Sequence, residues 1–264
     1  MTAAAAIPAP PRDAPRLPLG VRVGMFVRLL AVQGSWNYET LLGNGVAFAM
    51  EPALRLLPGG RGGPAYRAAM ARQSRYFNAH PYLAAVAVGA LARAELDGES
   101  PERIERFRTA LCGPLGSCGD RLVWAAWLPL CSLVALAAWG LGAGPALVVL
   151  LFLALYNLGH VGVRVWALQV GLERGLQVAG ALGAPWLRKG PQWIGQVAAL
   201  LSGIALPLAV ARVLGADARG LALGVVLGAV VVGAALFVRL QGRWEGWRVA
   251  LILLALLVLF SVAA

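Results

Sequence analysis

The second half of the chain is dominated by long stretches without charge. No charged residue occurs from Leu122 to Val163, and a glycine-rich breaker over residues 140–145 divides this stretch near its middle. Because a membrane-spanning helix needs about 20 apolar residues, the stretch predicts two spans joined by a tight turn. Further apolar segments occupy Trp193–Ala211, Gly220–Val238 and Val249–Ala264. The pattern therefore predicts about five apolar membrane segments in residues 122–264.

The first half alternates between apolar and basic positions. Val21–Gln33 and Pro64–Ala79 have helical apolar spacing with arginines on the opposite face, which predicts two amphipathic helices. Residues 1–20 are rich in alanine and proline, so they predict a disordered tail without the apolar core of a secretory signal peptide. We expect the membrane domain to run from residue 21 to residue 264, with its amphipathic and re-entrant part over 21–121.

Two apolar segments in this first half are too short or too interrupted to span a bilayer. Leu41–Leu57 contains Gly43, Gly45 and Pro52, and Tyr82–Ala92 is 11 residues long. Apolar segments of about 10–14 residues are more often interfacial or re-entrant. We therefore expect this half to lie on the bilayer or dip into it.

Composition excludes a single soluble domain. Of the 264 residues, 59% are hydrophobic and 13% are charged, and the mean hydropathy is +0.72. A soluble domain carries about 25% charged residues, so this chain has too little polar surface to cover a water-soluble globule. The sequence predicts an all-α integral membrane protein.

The charge distribution predicts an orientation. Basic residues outnumber acidic ones by 23 to 12, for a formal net charge of +11. They lie in the N-terminal half and between apolar segments, as cytoplasmic flanks do, rather than in a pattern that binds nucleic acid. With a cytoplasmic N-terminus, only Arg212 and Arg219 remain on the outer side. We expect that orientation.

The segment 33–39 is the first candidate for chemistry. Its polar members are Gln33, Ser35, Asn37 and Glu39, with Trp36 and Tyr38 between them. Sugar recognition uses such groups, because carboxylates and amides bind hydroxyl pairs and an aromatic ring covers the apolar face of a sugar. Alternatively, Ser35 caps a helix and the two rings lie at the headgroup level.

Two further clusters precede apolar segments. Asn78 and His80 come before Pro81, which favours an extended backbone, so they are expected in a turn that lines a polar pocket or satisfies nearby backbone groups. The glycines between Cys112 and Arg121 permit a tight backbone, and Asp120 is expected to cap the following helix or to act at membrane depth.

Two polar residues fall within the predicted spans. Asn157 and His160 lie about one helical turn apart, so they share a face and are expected to form hydrogen bonds between helices.

No catalytic constellation is present in the sequence. The chain has two histidines and lacks a phosphate-binding Gly-Lys-Ser/Thr loop, a Ser-His-Asp set and a His-Glu-x-x-His motif. Cys112, Cys118 and Cys131 are odd in number, and the Cys-x5-Cys pair has no nearby histidine, which argues against disulfides and zinc. We expect no catalytic residue, no metal and no cofactor in this chain, which favours transport.

The three clusters together resemble one family. Gln33-Gly-Ser-Trp-Asn-Tyr-Glu39, Phe77-Asn-Ala-His-Pro81 and Gly113-Pro-Leu-Gly-Ser-Cys-Gly-Asp120 resemble, in order and spacing, the IID component of mannose/fructose/sorbose-type phosphotransferase systems (PTS). The resemblance runs from about Val21 to the C-terminus. Some positions depart from the family pattern: Ala79 replaces a threonine, Arg121 replaces a small hydroxyl residue beside Asp120, and Thr40 stands where a basic residue often follows Glu39.

The resemblance implies a permease subunit of the bacterial inner membrane. Such a subunit pairs with a IIC membrane protein, and cytoplasmic IIA and IIB proteins relay phosphate from phosphoenolpyruvate onto a mannose-type hexose. The IID chain is not itself phosphorylated, and its membrane part contains re-entrant hairpins. The residues that the resemblance places near the sugar path are Gln33, Asn37, Glu39, Asn78, His80 and Asp120. The alternative is a non-transporting regulatory or scaffold component with the same fold.

Overall fold

The computed structural model describes residues 16–214, together with Gly224 and Gly228. The described part is helical, apart from two isolated β-bridges that join Leu41 to Asn37 and to Phe77. The first four helices are α1 (Leu19–Leu29), α2 (Gly43–Leu54), α3 (Pro64–Gln73) and α4 (Ala84–Leu96). They are followed by α5 (Pro101–Gly119), α6 (Leu128–Gly140), α7 (Pro145–Arg174), α8 (Ala179–Leu182) and α9 (Pro185–Leu214).

Three helical segments of the described part are long and apolar enough to cross a membrane. They are Pro101–Gly140, Pro145–Gln177 and Ala179–Val213. The predicted turn between the first two is present, since α6 ends at Gly140 and α7 begins at Pro145, and Gly142 has a φ of 107° that favours glycine. Apart from Gly224 and Gly228, the predicted segments Gly220–Val238 and Val249–Ala264 lie outside the described residues, as does most of the predicted tail.

Helices α5 and α6 form one continuous helix, because residues Asp120–Trp127 between them are a π-helix. The expectation that Asp120 caps a new helix is wrong, and the glycines before it belong to α5. Asp120 has helical dihedral angles, and its N–H donates to the carbonyl of Gly116, so no helix begins there. The true start of this long helix is Ser100, whose hydroxyl accepts from the N–H of Arg103.

Helix α7 continues beyond the predicted end of its apolar stretch. It runs to Arg174, so Arg164 is a buried residue inside a helix rather than part of a cytoplasmic loop. The uncharged stretch ends at Val163 because Arg164 is the next charged residue. Burial of the arginine against the N-terminal half allows the helix to continue.

Helix α4 is the centre of the protein core. All residues from Ala84 to Ala92 are buried, and α4 packs most extensively on the C-terminal part of α7. The backbones come close because each helix contributes a glycine: a Cβ on Gly89 would lie 2.6 Å from the carbonyl oxygen of Leu168, and one on Gly171 would lie 2.4 Å from that of Val86. The short apolar segment at 82–92 is therefore enclosed by protein.

Helix α2 forms despite two glycines and an internal proline. A Cβ on Gly43 or Gly45 would lie within 2 Å of a carbonyl oxygen of another segment, so the two glycines permit close packing and do not break the helix. Pro52 has no N–H for the carbonyl of Phe48, and Arg28 of α1 donates to that carbonyl at 3.2 Å. The interruption expected within 41–57 is absent for these reasons.

Two buried carboxylates connect the short N-terminal helices. Glu51 of α2 accepts from Arg28 at 2.5 Å and from Arg55 at 2.7 Å. Burial disfavours its charged form, but the hydrogen bonds from the two arginines outweigh burial and lower the pKa of Glu51. Glu95 of α4 accepts both arms of the Arg72 guanidinium at 2.9 Å, which raises the pKa of Arg72.

Candidate functional site

The loop between α1 and α2 is organised by Asn37. Its Oδ1 accepts the N–H groups of Glu39 and Thr40 at 2.9 Å, and its Nδ2 donates to the hydroxyl of Thr40 at 2.8 Å. This arrangement is an Asx turn, which fixes the backbone through the side chain. Ser35 does not cap a helix, because α2 begins eight residues later at Gly43 with Leu42 in the capping position.

The first two sequence clusters meet through backbone hydrogen bonds. The N–H of Phe77 donates to the carbonyl of Thr40, and the N–H of Leu42 donates to the carbonyl of Phe77, both at 3.0 Å. Gly43 packs against the carbonyl of Arg75, where a Cβ would lie 1.9 Å from the oxygen. The loop with Asn37 and the loop with Asn78 are therefore one backbone unit.

Arg108 of α5 fixes the backbone that leads into the loop with Asn78. Its guanidinium donates to the carbonyls of Tyr76, Arg75 and Gln73 at 2.7, 2.5 and 3.1 Å, and it lies over the ring of Phe77. These carbonyls belong to the last residue of α3 and to the residues just after it, where backbone acceptors lack helical partners. Sequence inspection missed this role because Arg108 looks like one of many basic residues on an amphipathic helix.

The second and third clusters meet where His80 packs on Gly119. A Cβ on Gly119 would lie 2.2 Å from the Cβ of His80, so only glycine admits the histidine at this distance. The His80 ring also contacts Trp124 of the π-helix and Tyr82, with centroid distances of 5.0 Å in each case. The π-helix thus places Trp124 against the loop that carries Asn78 and His80.

His80 is held in its neutral form. Its side chain is buried, and burial together with the nearby charge of Arg164 lowers its pKa to about 4. Its Nδ1 accepts the N–H of Tyr82 at 3.2 Å, whereas its Nε2 has no hydrogen-bond partner within the described residues. The neutral ring therefore positions the loop through its packing and its hydrogen bond to Tyr82.

Tyr82 and Arg164 form a junction that the sequence did not reveal. The Arg164 side chain, 2% exposed, donates to the carbonyl of Leu29 at the end of α1 and lies over the Tyr82 ring, 4.9 Å from its centroid. Tyr82 also stacks on His160 and shares a 2.6 Å hydrogen bond with the Tyr156 hydroxyl. The last carbonyls of a helix carry partial negative charge, which suits a cation.

The six predicted site residues divide into two groups. Gln33, Glu39, Asn78 and Asp120 are exposed, whereas Asn37 is half-buried and His80 is buried. Within the described part of the chain, the Glu39 carboxylate has no hydrogen bond or ion pair, and Asp120 forms no ion pair with Arg121, which donates instead to the carbonyl of Ser117. Two of the six therefore organise the backbone, and four present polar groups at the surface.

Asn157 and His160 share one face of α7, as their spacing predicted. The Asn157 Oδ1 lies 3.4 Å from the Nδ1 of His160, and the Asn157 Nδ2 donates to the carbonyl of Leu153 at 2.8 Å. These hydrogen bonds lie within α7. The expected bond between helices is replaced by the stacking of His160 on Tyr82.

Comparison with known proteins identifies the family of this backbone unit. Residues 20–197 match the model of the PTS system mannose/fructose/sorbose family IID component, and this range contains all three clusters and the loops that join them. The chain belongs to this family. The resemblance of the three motifs is therefore confirmed.

Several curated IID proteins are similar in sequence. The mannose-specific EIID component of Escherichia coli K12 is 32% identical over 175 residues, covering 63% of this chain and 59% of the relative. The fructose permease IID component of Bacillus subtilis is 28% identical and covers 72% of each chain. The sorbose-specific EIID component of Klebsiella pneumoniae is 28% identical, covering 75% of this IID chain and 76% of the relative. The match thus spans about three-fifths of the E. coli relative's length.

Two solved structures share the fold. A cryo-EM structure of the mannose transporter ManYZ with microcin E492 contains a chain with a TM-score of 0.56 and 26% identity, with 71% of this IID chain and 69% of that chain covered. A second structure, described as a membrane protein, has a TM-score of 0.62 and 28% identity, with coverage of 72% and 70%. The helical membrane architecture is thus shared with solved membrane proteins.

We expect acid to destabilise the protein through His80. Because the folded pKa of about 4 lies below the ordinary value near 6.5, the unfolded chain binds the proton first as pH falls. The neutral histidine contributes fully above pH 6.5, and the contribution is lost between pH 6.5 and pH 4. At pH 5 the loss is about 2 kcal/mol. The drop in melting temperature from pH 7.5 to pH 5 is therefore smaller in His80→Gln than in the wild type. Equal drops in the two proteins would contradict this account.

Proposed function

We propose that this chain is the IID membrane subunit of a sugar phosphotransferase permease. With a IIC subunit it forms the path for a mannose-type hexose, whose uptake is coupled to phosphorylation by IIA and IIB proteins supplied with phosphoenolpyruvate. The family match over residues 20–197 carries this proposal. The names of the E. coli, B. subtilis and K. pneumoniae relatives, which specify mannose, fructose and sorbose, support a hexose as the substrate.

The loop unit built from the three motifs is the proposed surface near the sugar. Gln33, Glu39, Asn78 and Asp120 present exposed carboxylates and amides, the groups that bind sugar hydroxyls. Asn37 is proposed to line the same path while its Asx turn sets the position of Glu39. His80 is proposed to hold this surface in place, because its packing on Gly119 and Trp124 joins the loop to the membrane helix.

Uptake measurements test this proposal. In cells that express the chain with its IIC, IIA and IIB partners as their sole mannose-type permease, we expect Glu39→Gln to lower phosphoenolpyruvate-dependent uptake about 10- to 100-fold, the scale of a lost charged hydrogen bond. Asn37→Ala is expected to lower uptake similarly, and the purified complex keeps its subunits in both variants. Glu102→Gln is the matched control, because Glu102 is also exposed and forms no hydrogen bond or ion pair in the described structure.

Normal uptake by both variants would remove Asn37 and Glu39 from the sugar path. A wild-type complex that retains IIB but transports no hexose would favour the regulatory or scaffold role instead. Purification of the tagged chain in mild detergent tests whether it has a permease partner. The proposed function requires that a IIC-type protein is purified with the chain in a constant ratio.

We propose that the N-terminus lies in the cytoplasm and that the chain has about five apolar membrane segments. The concentration of basic residues in the N-terminal half supports this orientation. It places the turn after α6 on the outer side, where Arg212 donates to the carbonyl of Ala143. In a variant whose native cysteines are replaced, Leu141→Cys should react with a membrane-impermeant maleimide in intact cells, and Glu102→Cys only after permeabilisation. The reverse labelling would invert the orientation.

A further inference from the structure

A groove runs between α1 and the C-terminal part of α7. It has a volume of about 230 Å³ and is partly open to the surroundings. Its lining is Leu19, Val23 and Phe26 from α1, Val165, Leu168 and Leu172 from α7, and the two polar residues Arg22 and Gln169. The groove is therefore an apolar channel with polar groups at its edge.

The length of α7 indicates that the groove lies at the level of the lipid headgroups. A helix rises 1.5 Å per residue, so the roughly 30 Å hydrocarbon core uses about 20 residues of α7 counted from Pro145. The groove-lining residues Val165–Leu172 follow directly, and the polar residues Glu173 and Arg174 end the helix. Because Leu19 reaches the groove near Leu172 while Leu29 contacts Arg164, α1 begins near the surface and runs toward the hydrocarbon.

Arg22 places a positive charge at this boundary, and no acidic residue of the described part of the chain pairs with it. Its guanidinium forms no hydrogen bond, ion pair or ring contact with any residue that the structure describes, and its side chain is half-buried. The carboxylate of Glu173, near the end of α7, accepts from the amide of Gln169 at 2.9 Å. A guanidinium that is partly removed from water gains most from a phosphate, which it binds through two parallel hydrogen bonds.

We propose that the groove between α1 and α7 binds an anionic glycerophospholipid. The acyl chain occupies the apolar channel between Val23 and Leu168, and the phosphate pairs with Arg22 at the channel edge. The apolar lining suits an acyl chain, and Arg22, which no described residue pairs with, suits a negative headgroup. The depth of the groove matches the junction of acyl chain and headgroup in a bilayer. This inference depends only on the chain being a membrane protein, so it is independent of the proposed transport function.

Thermal unfolding in detergent tests the inference. The full-length protein, with any subunit that remains bound to it, is titrated with dioleoyl phosphatidylglycerol or with the zwitterionic dioleoyl phosphatidylcholine. We expect phosphatidylglycerol to raise the melting temperature more than phosphatidylcholine does, by on the order of 2–5 °C. The difference disappears in Arg22→Gln and is retained in Arg22→Lys.

Two matched controls separate the groove from general effects. Arg67→Gln removes an exposed charge on α3 and should leave the lipid response unchanged. Val23→Trp fills the channel and should abolish the response, whereas Val27→Trp, one turn further along α1, should not, since Val23 and Val27 are 50% and 56% exposed and only Val23 lines the groove.

Three outcomes would overturn the proposal. The first is an equal response of the wild type to both lipids, and the second is a full response in Arg22→Gln. The third is an equal shift with glycerol 3-phosphate, which carries the headgroup phosphate without acyl chains and would make the site one for free phosphate esters. The absence of any response to either lipid, as expected if a protein partner covers the groove, counts as the first of these outcomes.

Discussion

We expect the substitution Gly171→Val to abolish most of the correctly folded protein. The new Cβ would lie 2.4 Å from the carbonyl oxygen of Val86 and 2.9 Å from the nitrogen of Ala90, and both atoms belong to the backbone of α4. Backbone cannot rotate away as a side chain can, so α4 and α7 must separate. Overpacking alone costs about 1–3 kcal/mol, and separation also exposes the buried face of α4. We expect the loss to exceed 3 kcal/mol.

The measurement is the amount of monodisperse protein recovered in detergent, together with its melting temperature. Gly89→Val should behave in the same way, because its Cβ would lie 2.6 Å from the carbonyl oxygen of Leu168. Gly162→Val is the control on the same helix, where a Cβ meets nothing within 4 Å of the described structure. Comparable recovery of Gly171→Val and Gly162→Val would show that the two backbones do not make this contact.

Glu95→Gln should destabilise the protein by about 3–5 kcal/mol, because it leaves a buried cation without its counter-charge. The Glu95 and Arg72 side chains are 5% and 15% exposed, and the carboxylate accepts both arms of the guanidinium and the amide of Gln73 at 2.8 Å. Glutamine keeps the shape of the side chain and removes its charge. Denaturation of the purified variants in mild detergent measures the change.

Two further variants make the test specific to burial. Glu99→Gln removes the partner of Arg103 in an exposed pair four residues apart on the chain, and its cost should stay below about 0.5 kcal/mol. The double variant Glu95→Leu with Arg72→Met replaces both buried charges by apolar groups and should recover most of the lost stability. A cost for Glu95→Gln no larger than that for Glu99→Gln would contradict the buried-pair account.

The charge gap and the breaker predicted the helices of the second half because lipid imposes a simple rule. A long uncharged stretch must be helical in a bilayer, and the glycines and proline at 140–145 mark the one place where its backbone turns. The same rule misplaced the end of α7 at residue 163. A charged residue does not end a helix when protein groups contact it, and Arg164 faces the carbonyl of Leu29 and the ring of Tyr82.

The candidate site was predicted as a set of residues but not as an arrangement. Order and spacing identified the three motifs and their family, and the structure joins them through the backbone bonds of Phe77 and the packing of His80 on Gly119. Sequence spacing carries no information on which side chains close local turns. Asn37 and His80 therefore looked equivalent to Glu39 and Asn78, although the first pair organises the loops and the second is exposed.

The sequence by itself determined that this is a helical membrane protein of the IID family, because hydropathy over 20 residues and motif order are local properties of the chain. Only the tertiary structure decided what each interruption means. Gly43, Gly89 and Gly171 are contact points between backbones, and Asp120 lies inside a continuous helix. In an isolated helix, a glycine or a charged residue favours an interruption. When another segment packs against that residue, the helix continues, and a segment far away in the chain is not visible in the local sequence.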